Sequence, residues 1–254
     1  MNQERSGFFS SIPVVTKNIL IINVIVWLFQ FVALAKFNFD LSDYLGLHYF
    51  RSEKFEFFQI FTYMFLHAPN DPTHVFFNMF AVFMFGRTLE TVWGGKRFFF
   101  YYMVTGIGAG LVQLLVMFLR VQYLVADIPV DLVNQLYAQG SNMNISPSNP
   151  YYDSIINLYQ LINTQTIGAS GAVFGILLAF GMLFPNVELI MIPIPIPIKA
   201  KYFVIGYGVL ELFAGVANRS GDNVAHFAHL GGMLFGIILI LYWKKKNKIN
   251  GRYY

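Results

Sequence analysis

Apolar residues fill six blocks of this chain: Asn18–Ala35, His74–Trp93, Phe98–Leu119, Ser170–Phe184, Tyr202–Ala217 and Val224–Trp243. Polar and charged residues gather between them. Most blocks approach the roughly 20 residues that a helix needs to cross a bilayer. The pattern predicts an all-α polytopic membrane protein, a six-helix bundle forming a single membrane domain over residues 1–254. A short segment, 1–17, precedes the first span and a basic tail, 244–254, follows the last. The first block is too long for the apolar core of a signal peptide and no small-residue cleavage site follows it, so it reads as a retained span. The fourth block is short: its helix would rise about 22 Å against a hydrocarbon core of about 30 Å. It is therefore expected to start below the outer surface, with the preceding loop dipping inward to reach it. Irregular backbone at that depth is tolerated only against protein or a wet cavity.

Composition strengthens the membrane reading. Hydrophobic residues make up 56% of the chain and charged residues 12%, against about 25% charged in an average soluble domain. The absence of cysteine excludes disulfides, thiolate catalysis and Cys-ligated metals. The net charge of +4 is scattered over span ends without a basic patch, which gives no basis for nucleic-acid binding. Its placement sets orientation. With both termini in the cytoplasm, only Lys36, Arg51, Lys54, Arg120 and Arg219 of the 17 Lys and Arg residues lie outside, as the positive-inside rule requires.

Three connections stand out. The first external loop, Lys36–Thr73, is rich in Phe and Tyr, and its Phe55, Phe57, Phe58, Ile60 and Phe61 suit an element lying in the membrane interface. The second, Val121–Ile167, has no Lys or Arg and carries turn chemistry at Gly140-Ser141-Asn142 and Pro147-Ser148-Asn149-Pro150. It is either a functional loop or a tolerated insertion. The run Ile192-Pro193-Ile194-Pro195-Ile196-Pro197-Ile198 cannot be helical, because each proline lacks a donor and clashes with the preceding turn. It is expected as an extended, stiff connector on the cytoplasmic face.

Candidate chemistry lies at the outer ends of three blocks. Gly168-Ala169-Ser170-Gly171-Ala172-Val173-Phe174-Gly175 places a hydroxyl at a helix N-terminus, where unpaired N–H groups and the helix dipole favour an anion. Alone, this serine reads equally as a cap or as small-residue packing. His229 is an ionisable side chain near the start of the last span, a costly placement that is usually functional. Gly232 and Gly236 follow it at i+3 and i+7, and Gly171 and Gly175 sit four apart on the fourth helix. Such spacing lets membrane helices approach closely. His226 is the rival base, but its own i+3 and i+7 neighbours, His229 and Met233, are not small. That assigns His229 as base and His226 to a supporting place, either behind the base or at the cavity mouth. His74 and Asn78, at i and i+4, share a helix face and can both donate to a developing oxyanion, though alone the pair reads as polar glue between helices. His67 is placed to brace them.

His74-x-x-x-Asn78, Gly168-Ala169-Ser170-Gly171 and Ala228-His229-x-x-Gly232-x-x-x-Gly236, on spans two, four and six, resemble the rhomboid family of intramembrane serine proteases. The resemblance covers about Asn18 to Trp243. It implies Ser170 as nucleophile, His229 as general base, and His74, Asn78 and the Ser170 N–H as the oxyanion site. It also implies that Phe174 packs on the catalytic histidine and that Glu90 is a structural acid. Phe58-Gln59 stands where many members carry Trp-Arg, and the insertion before span four is longer than in compact bacterial members.

Glu211 lies within span five at a depth near that of His229. It reads either as a carboxylate orienting a histidine or as a buried structural acid. The resemblance implies a Ser–His dyad and favours the second. The expectation is an intramembrane serine endopeptidase of the bacterial cytoplasmic membrane, acting on transmembrane protein segments near the outer face, with no metal or organic cofactor. The rival readings are an inactive scaffold of the same fold that binds transmembrane segments, and a small-molecule transporter. Intact Ser170 and His229 argue against the scaffold, and the lack of an internal repeat argues against the transporter.

Overall fold

The computed structural model describes residues 11–191, 194–217 and 225–246. Val224, where the sixth apolar block begins, lies outside the described residues, as do Arg5, Arg219, Lys248 and Arg252.

Helices α1 (Val14–Phe37), α2 (Ser42–Leu45), α3 (Gln59–Thr62), α4 (Pro72–Ala81), α5 (Arg87–Trp93) and α6 (Gly95–Ala126) come first, in that order. Next come α7 (Val130–Gln139), α8 (Tyr152–Asn163) and α9 (Ser170–Leu183). A hairpin of β1 (Glu188–Met191) and β2 (Ile194–Lys199) leads to α10 (Ala200–Ala217) and α11 (His226–Lys245). Among the described residues, five stretches are long and apolar enough to cross a membrane: α1, Pro72–Trp93, α6, α10 and α11. The fourth apolar block forms α9, a helix of 14 residues.

Helix α1 shows which solvent this fold expects. Thr16, Ile19, Asn23, Gln30 and Ala33 are buried, while Ile25 and Phe29 are about 60% exposed. Polar residues face the protein and large apolar ones face outward, the reverse of a soluble helix. Its first turn is capped from a distance. The N–H groups of Val15 and Thr16 and the Thr16 hydroxyl donate to the Glu90 carboxylate at 2.9, 2.6 and 2.7 Å. An anion there satisfies orphan donors and complements the helix dipole.

Helix α4 starts with Asp71 as cap, its carboxylate accepting from the Thr73 N–H at 3.0 Å, and with Pro72 in its first turn. It passes through a π-turn at Val82–Gly86 into α5.

Helices α6, α9 and α11 form the central packing unit. Lipid tails are as apolar as leucine, so this association depends on close contact rather than on expulsion of water. Small residues supply it. A Cβ on Gly232 would overlap the carbonyl oxygen of Gly171, one on Gly171 would overlap Ala109, and one on Gly175 would come within 2.7 Å of Thr105.

The segment after the third apolar block is more ordered than its turn chemistry suggests. Helix α6 continues seven residues past Leu119, to Ala126. Helices α7 and α8 then fold back on it, and Ile155, Leu158 and Ile162 of α8 join Leu136, Met117, Val121, Ile128 and Tyr49 in a second buried cluster. The apolar positions of α8 recur at helical spacing. The residues Gly140–Asn142 form a 3₁₀ turn between the two helices.

From Ile194 on, the proline-rich run is extended, as expected, and it also pairs, while Ile192 and Pro193 lie outside the described residues. β1 and β2 form an antiparallel ladder, Glu188 opposite Lys199 and Leu189 opposite Ile198. Successive strand residues point their N–H groups to opposite edges. Pro195 and Pro197, two apart, therefore withhold donors from the same edge, and the isoleucine N–H groups between them keep the other.

Candidate active site

Ser170 is the first residue of α9, and its position is set by the loop before it. Leu47 and Thr166 exchange backbone hydrogen bonds at 2.9 and 2.8 Å, and the Gly168 N–H donates to the Tyr63 carbonyl at 3.0 Å. The Tyr63 hydroxyl in turn donates to the Gly106 carbonyl of α6 at 2.6 Å. The inward-dipping backbone is thus lined by protein, and Ala169 is fully buried. Gly168 has φ +129°, and a Cβ there would lie 3.0 Å from His74 Nε2 and 3.4 Å from Ser170 Oγ. Both requirements select glycine.

His229 lies in the first turn of α11. That helix begins at His226, two residues later than the apolar block, so His229 is about 4.5 Å from the helix start by helix rise. Its Nε2 is 2.8 Å from Ser170 Oγ, its ring is 4.2 Å from that of Phe174 with the planes 7° apart, and the residue is 8% exposed. Gly232, one turn on, is where α11 touches α9, and Gly236 meets the Tyr101 hydroxyl.

His74 is oriented by the turn before α4. The Ala68 N–H donates to its Nδ1 at 3.3 Å. Nδ1 is then the acceptor, and Nε2 carries the proton. That Nε2–H faces the Gly168 α-carbon, as Ser170 Oγ does. Asn78 is 7% exposed, and it donates one of its two amide protons to the His74 carbonyl at 2.8 Å.

Helix α1 steadies this turn. The Trp27 Nε1–H donates to the Ala68 carbonyl at 3.1 Å, and the His67 N–H donates to Gln30 Oε1 at 3.0 Å. The His67 ring packs edge-on against His74 at 5.0 Å. Burial, with His74 nearby, holds the His67 imidazole down to about 3, so it is a neutral brace. Gln59 performs a similar service in the segment between α1 and α4. Fully buried, it accepts from the His48 N–H and donates to the carbonyls of Tyr44 and Lys54. Phe57, Phe58 and Phe61 of this loop are exposed.

Glu211, for which two readings stood open, meets both histidines. Its Oε2 lies 2.7 Å from His226 Nδ1 and 2.8 Å from His229 Nδ1. Glu211 of α10 is thus hydrogen-bonded between helices, to both histidines of α11. The two imidazoles and the carboxylate place their ligand atoms within 4.8 Å of one another, a donor set that a divalent transition ion accepts. Two ligands on one tetrahedral zinc stand about 3.3 Å apart. The 2.7 and 2.8 Å separations are those of hydrogen bonds.

Together these features define a polytopic helical membrane protein that presents a histidine-paired serine at the start of a short, buried helix. The Rhomboid domain model matches residues 54–246, and the chain belongs to the rhomboid family. It is 28% identical over 172 residues to the mitochondrial Rhomboid protein 1 of Saccharomyces cerevisiae and 27% identical over 180 residues to the Rhomboid protease AarA of Providencia stuartii. These alignments cover 68% and 69% of this chain but only 38% and 52% of the two relatives.

Proposed function

We propose that the protein is an intramembrane serine endopeptidase that cleaves transmembrane segments near the outer membrane face. The observation that carries this reading is the 2.8 Å contact between His229 Nε2 and Ser170 Oγ at the N-terminus of α9. One of the two relatives named above is a rhomboid protease, which supports the same reading.

The chemistry follows from the donors and acceptors present. His229 Nε2 takes the Ser170 proton as Oγ attacks the scissile carbonyl carbon. Negative charge develops on the carbonyl oxygen. The Ser170 N–H, the His74 Nε2–H and the free amide proton of Asn78 are the donors offered to it, in a site preorganised before substrate arrives. Collapse of the tetrahedral species breaks the C–N bond, and the proton on His229 Nε2 leaves with the amine. Water then attacks the acyl-enzyme, giving its proton to His229, and the carboxylate product departs as Ser170 regains its hydrogen. Gly171, Gly232 and Gly236 let the helices pack closely, Gly168 lets the loop pass His74, and Phe174 holds the imidazole plane. No cofactor enters the scheme.

In this reading the chain forms one membrane domain in the bacterial cytoplasmic membrane, both termini are cytoplasmic, and water and substrate reach Ser170 from outside. A peptide bond within a helix is shielded, so substrates are expected to carry small or helix-breaking residues near the scissile bond.

The test is cleavage of a model transmembrane substrate by the purified protein in proteoliposomes. Cleavage that disappears in Ser170→Ala supports the reading. No Ser170-dependent cleavage across several lipid compositions overturns it.

A further inference from the structure

Helix α10 carries a single acidic residue, Glu211, whose side chain is 12% exposed. A carboxylate at that depth is costly unless strong donors satisfy it. Here the donors are the Nδ1–H groups of His226 and His229, and both reach the same oxygen, Oε2. An ionised carboxylate only accepts, so at each contact the imidazole gives the proton. His229 then keeps hydrogen on Nδ1 and presents an unprotonated Nε2 to Ser170 Oγ at 2.8 Å. That is the tautomer a general base needs, and the ring has no other nitrogen with which to choose differently.

We infer that Glu211 is a positioning residue for the Ser170–His229 pair, completing a Ser–His–Glu relay whose carboxylate is itself clamped by His226. The inference rests on the protease reading above and extends it beyond a dyad. Glu211 fixes the ring's orientation and tautomer. It also offsets the positive charge that forms when the proton passes from Oγ to Nε2. The Nδ1 proton stays on the ring throughout, and Glu211 stays ionised. His226 lies on α11 with His229, so its bond keeps Oε2 beside that helix rather than leaving the carboxylate to turn outward. The rings of His226 and His229 stand 6.3 Å apart and nearly perpendicular, so both reach one oxygen without stacking on each other. Phe174 closes the face of His229 at 4.2 Å. The imidazole is thereby constrained by a stacking contact and by bonds at both nitrogens.

The experiment compares wild type, Glu211→Gln, His226→Gln and Ser170→Ala in proteoliposomes. It measures kcat and KM on a model transmembrane substrate, the rate of inactivation by a fluorophosphonate, and thermal unfolding. Glu211→Gln is expected to lower kcat and the inactivation rate about 100-fold, within the range a general base contributes. KM should change by less than about twofold, because the perturbation acts on the base and not on docking. His226→Gln leaves the Glu211–His229 bond in place and should cost less than about 10-fold in either rate. A merely structural acid would shift the unfolding temperature while leaving both rates, measured well below it, within about threefold of wild type; that result overturns the inference. Should Glu211→Gln fail to fold, nitrogen NMR of histidine-labelled wild-type protein decides the matter. Hydrogen on Nδ1 of His229 with Nε2 bare supports the relay, and the opposite tautomer refutes it. Wild type without Ser170-dependent cleavage or labelling overturns the protease reading and this inference with it, a result distinct from an active wild type matched by Glu211→Gln.

Discussion

Gly232→Ala perturbs the site without touching any reacting atom. The added methyl would overlap the Gly171 carbonyl oxygen, a backbone atom that no change of rotamer can clear. Ordinary carbon–oxygen contact needs about 3.5 Å, so α9 and α11 must separate by more than about 1 Å. Ser170 sits one residue before Gly171, and His229 one turn before Gly232. The same separation therefore opens the 2.8 Å Ser170–His229 bond past the roughly 3.2 Å at which such a bond weakens. Misplacing a catalytic group by about 1 Å costs on the order of 100-fold in rate. Overpacking adds about 1–3 kcal/mol of destabilisation. The control is Gly206→Ala on α10, where nothing lies within 4 Å of the new carbon. Cleavage of a model transmembrane substrate and thermal unfolding should separate the two variants, with Gly206→Ala close to wild type in both. A folded Gly232→Ala that cleaves at the wild-type rate would refute the claim that this glycine contact sets the distance between nucleophile and base.

Glu90→Gln puts an N–H where three donors converge at the buried start of α1. It should cost about 2 kcal/mol, seen as a lower unfolding temperature with cleavage intact well below it; unchanged unfolding would remove the capping role. Phe174→Ala deletes a stack on His229 worth about 0.5–1.5 kcal/mol. The cleavage rate should fall roughly 3- to 10-fold, while Phe174→Tyr keeps the stack and the rate; equal rates for Ala and wild type would contradict this. His67 gives a pH prediction. Its pKa is about 3 in the folded state against an ordinary 6.5, so between those values the unfolded chain binds the extra proton. The stability it contributes is complete above pH 6.5 and drains as pH falls toward 3, by up to about 1.4 kcal/mol per pH unit. His67→Gln should flatten the acid side of the stability profile, and an unchanged slope would refute the linkage.

Much of the fold was legible because a bilayer leaves few choices. Apolar length marked the helices, and the short Ser170 block marked a short one. Glycine spacing on two helices pointed to the face they share, which is why His229 could be preferred to His226 before any distance was known. What was not legible depended on pairing across space. Nothing in the sequence announces that Leu47 bridges Thr166, or that Trp27 and Gln30 hold the turn before His74. Gln30 did leave a trace, since a carboxamide inside an apolar span needs a partner. The helices α7 and α8 were hidden by turn residues on either side of them and by amphipathic stretches too short to stand out. Glu211 was visible as an anomaly, but its depth alone could not distinguish a structural acid from a partner of His229. Two hydrogen bonds to one oxygen put its carboxylate against both histidines.

The central claim is that Ser170 is a nucleophile because His229 activates it. The most direct measurement is the intact mass of the purified protein after incubation with a fluorophosphonate, with the adduct mapped by peptide fragmentation. The account predicts one adduct on Ser170 in wild type, none in Ser170→Ala, and labelling slowed at least about 100-fold in folded His229→Ala. Wild-type protein that cleaves a transmembrane substrate yet takes no adduct at Ser170, or labels equally without His229, would contradict it.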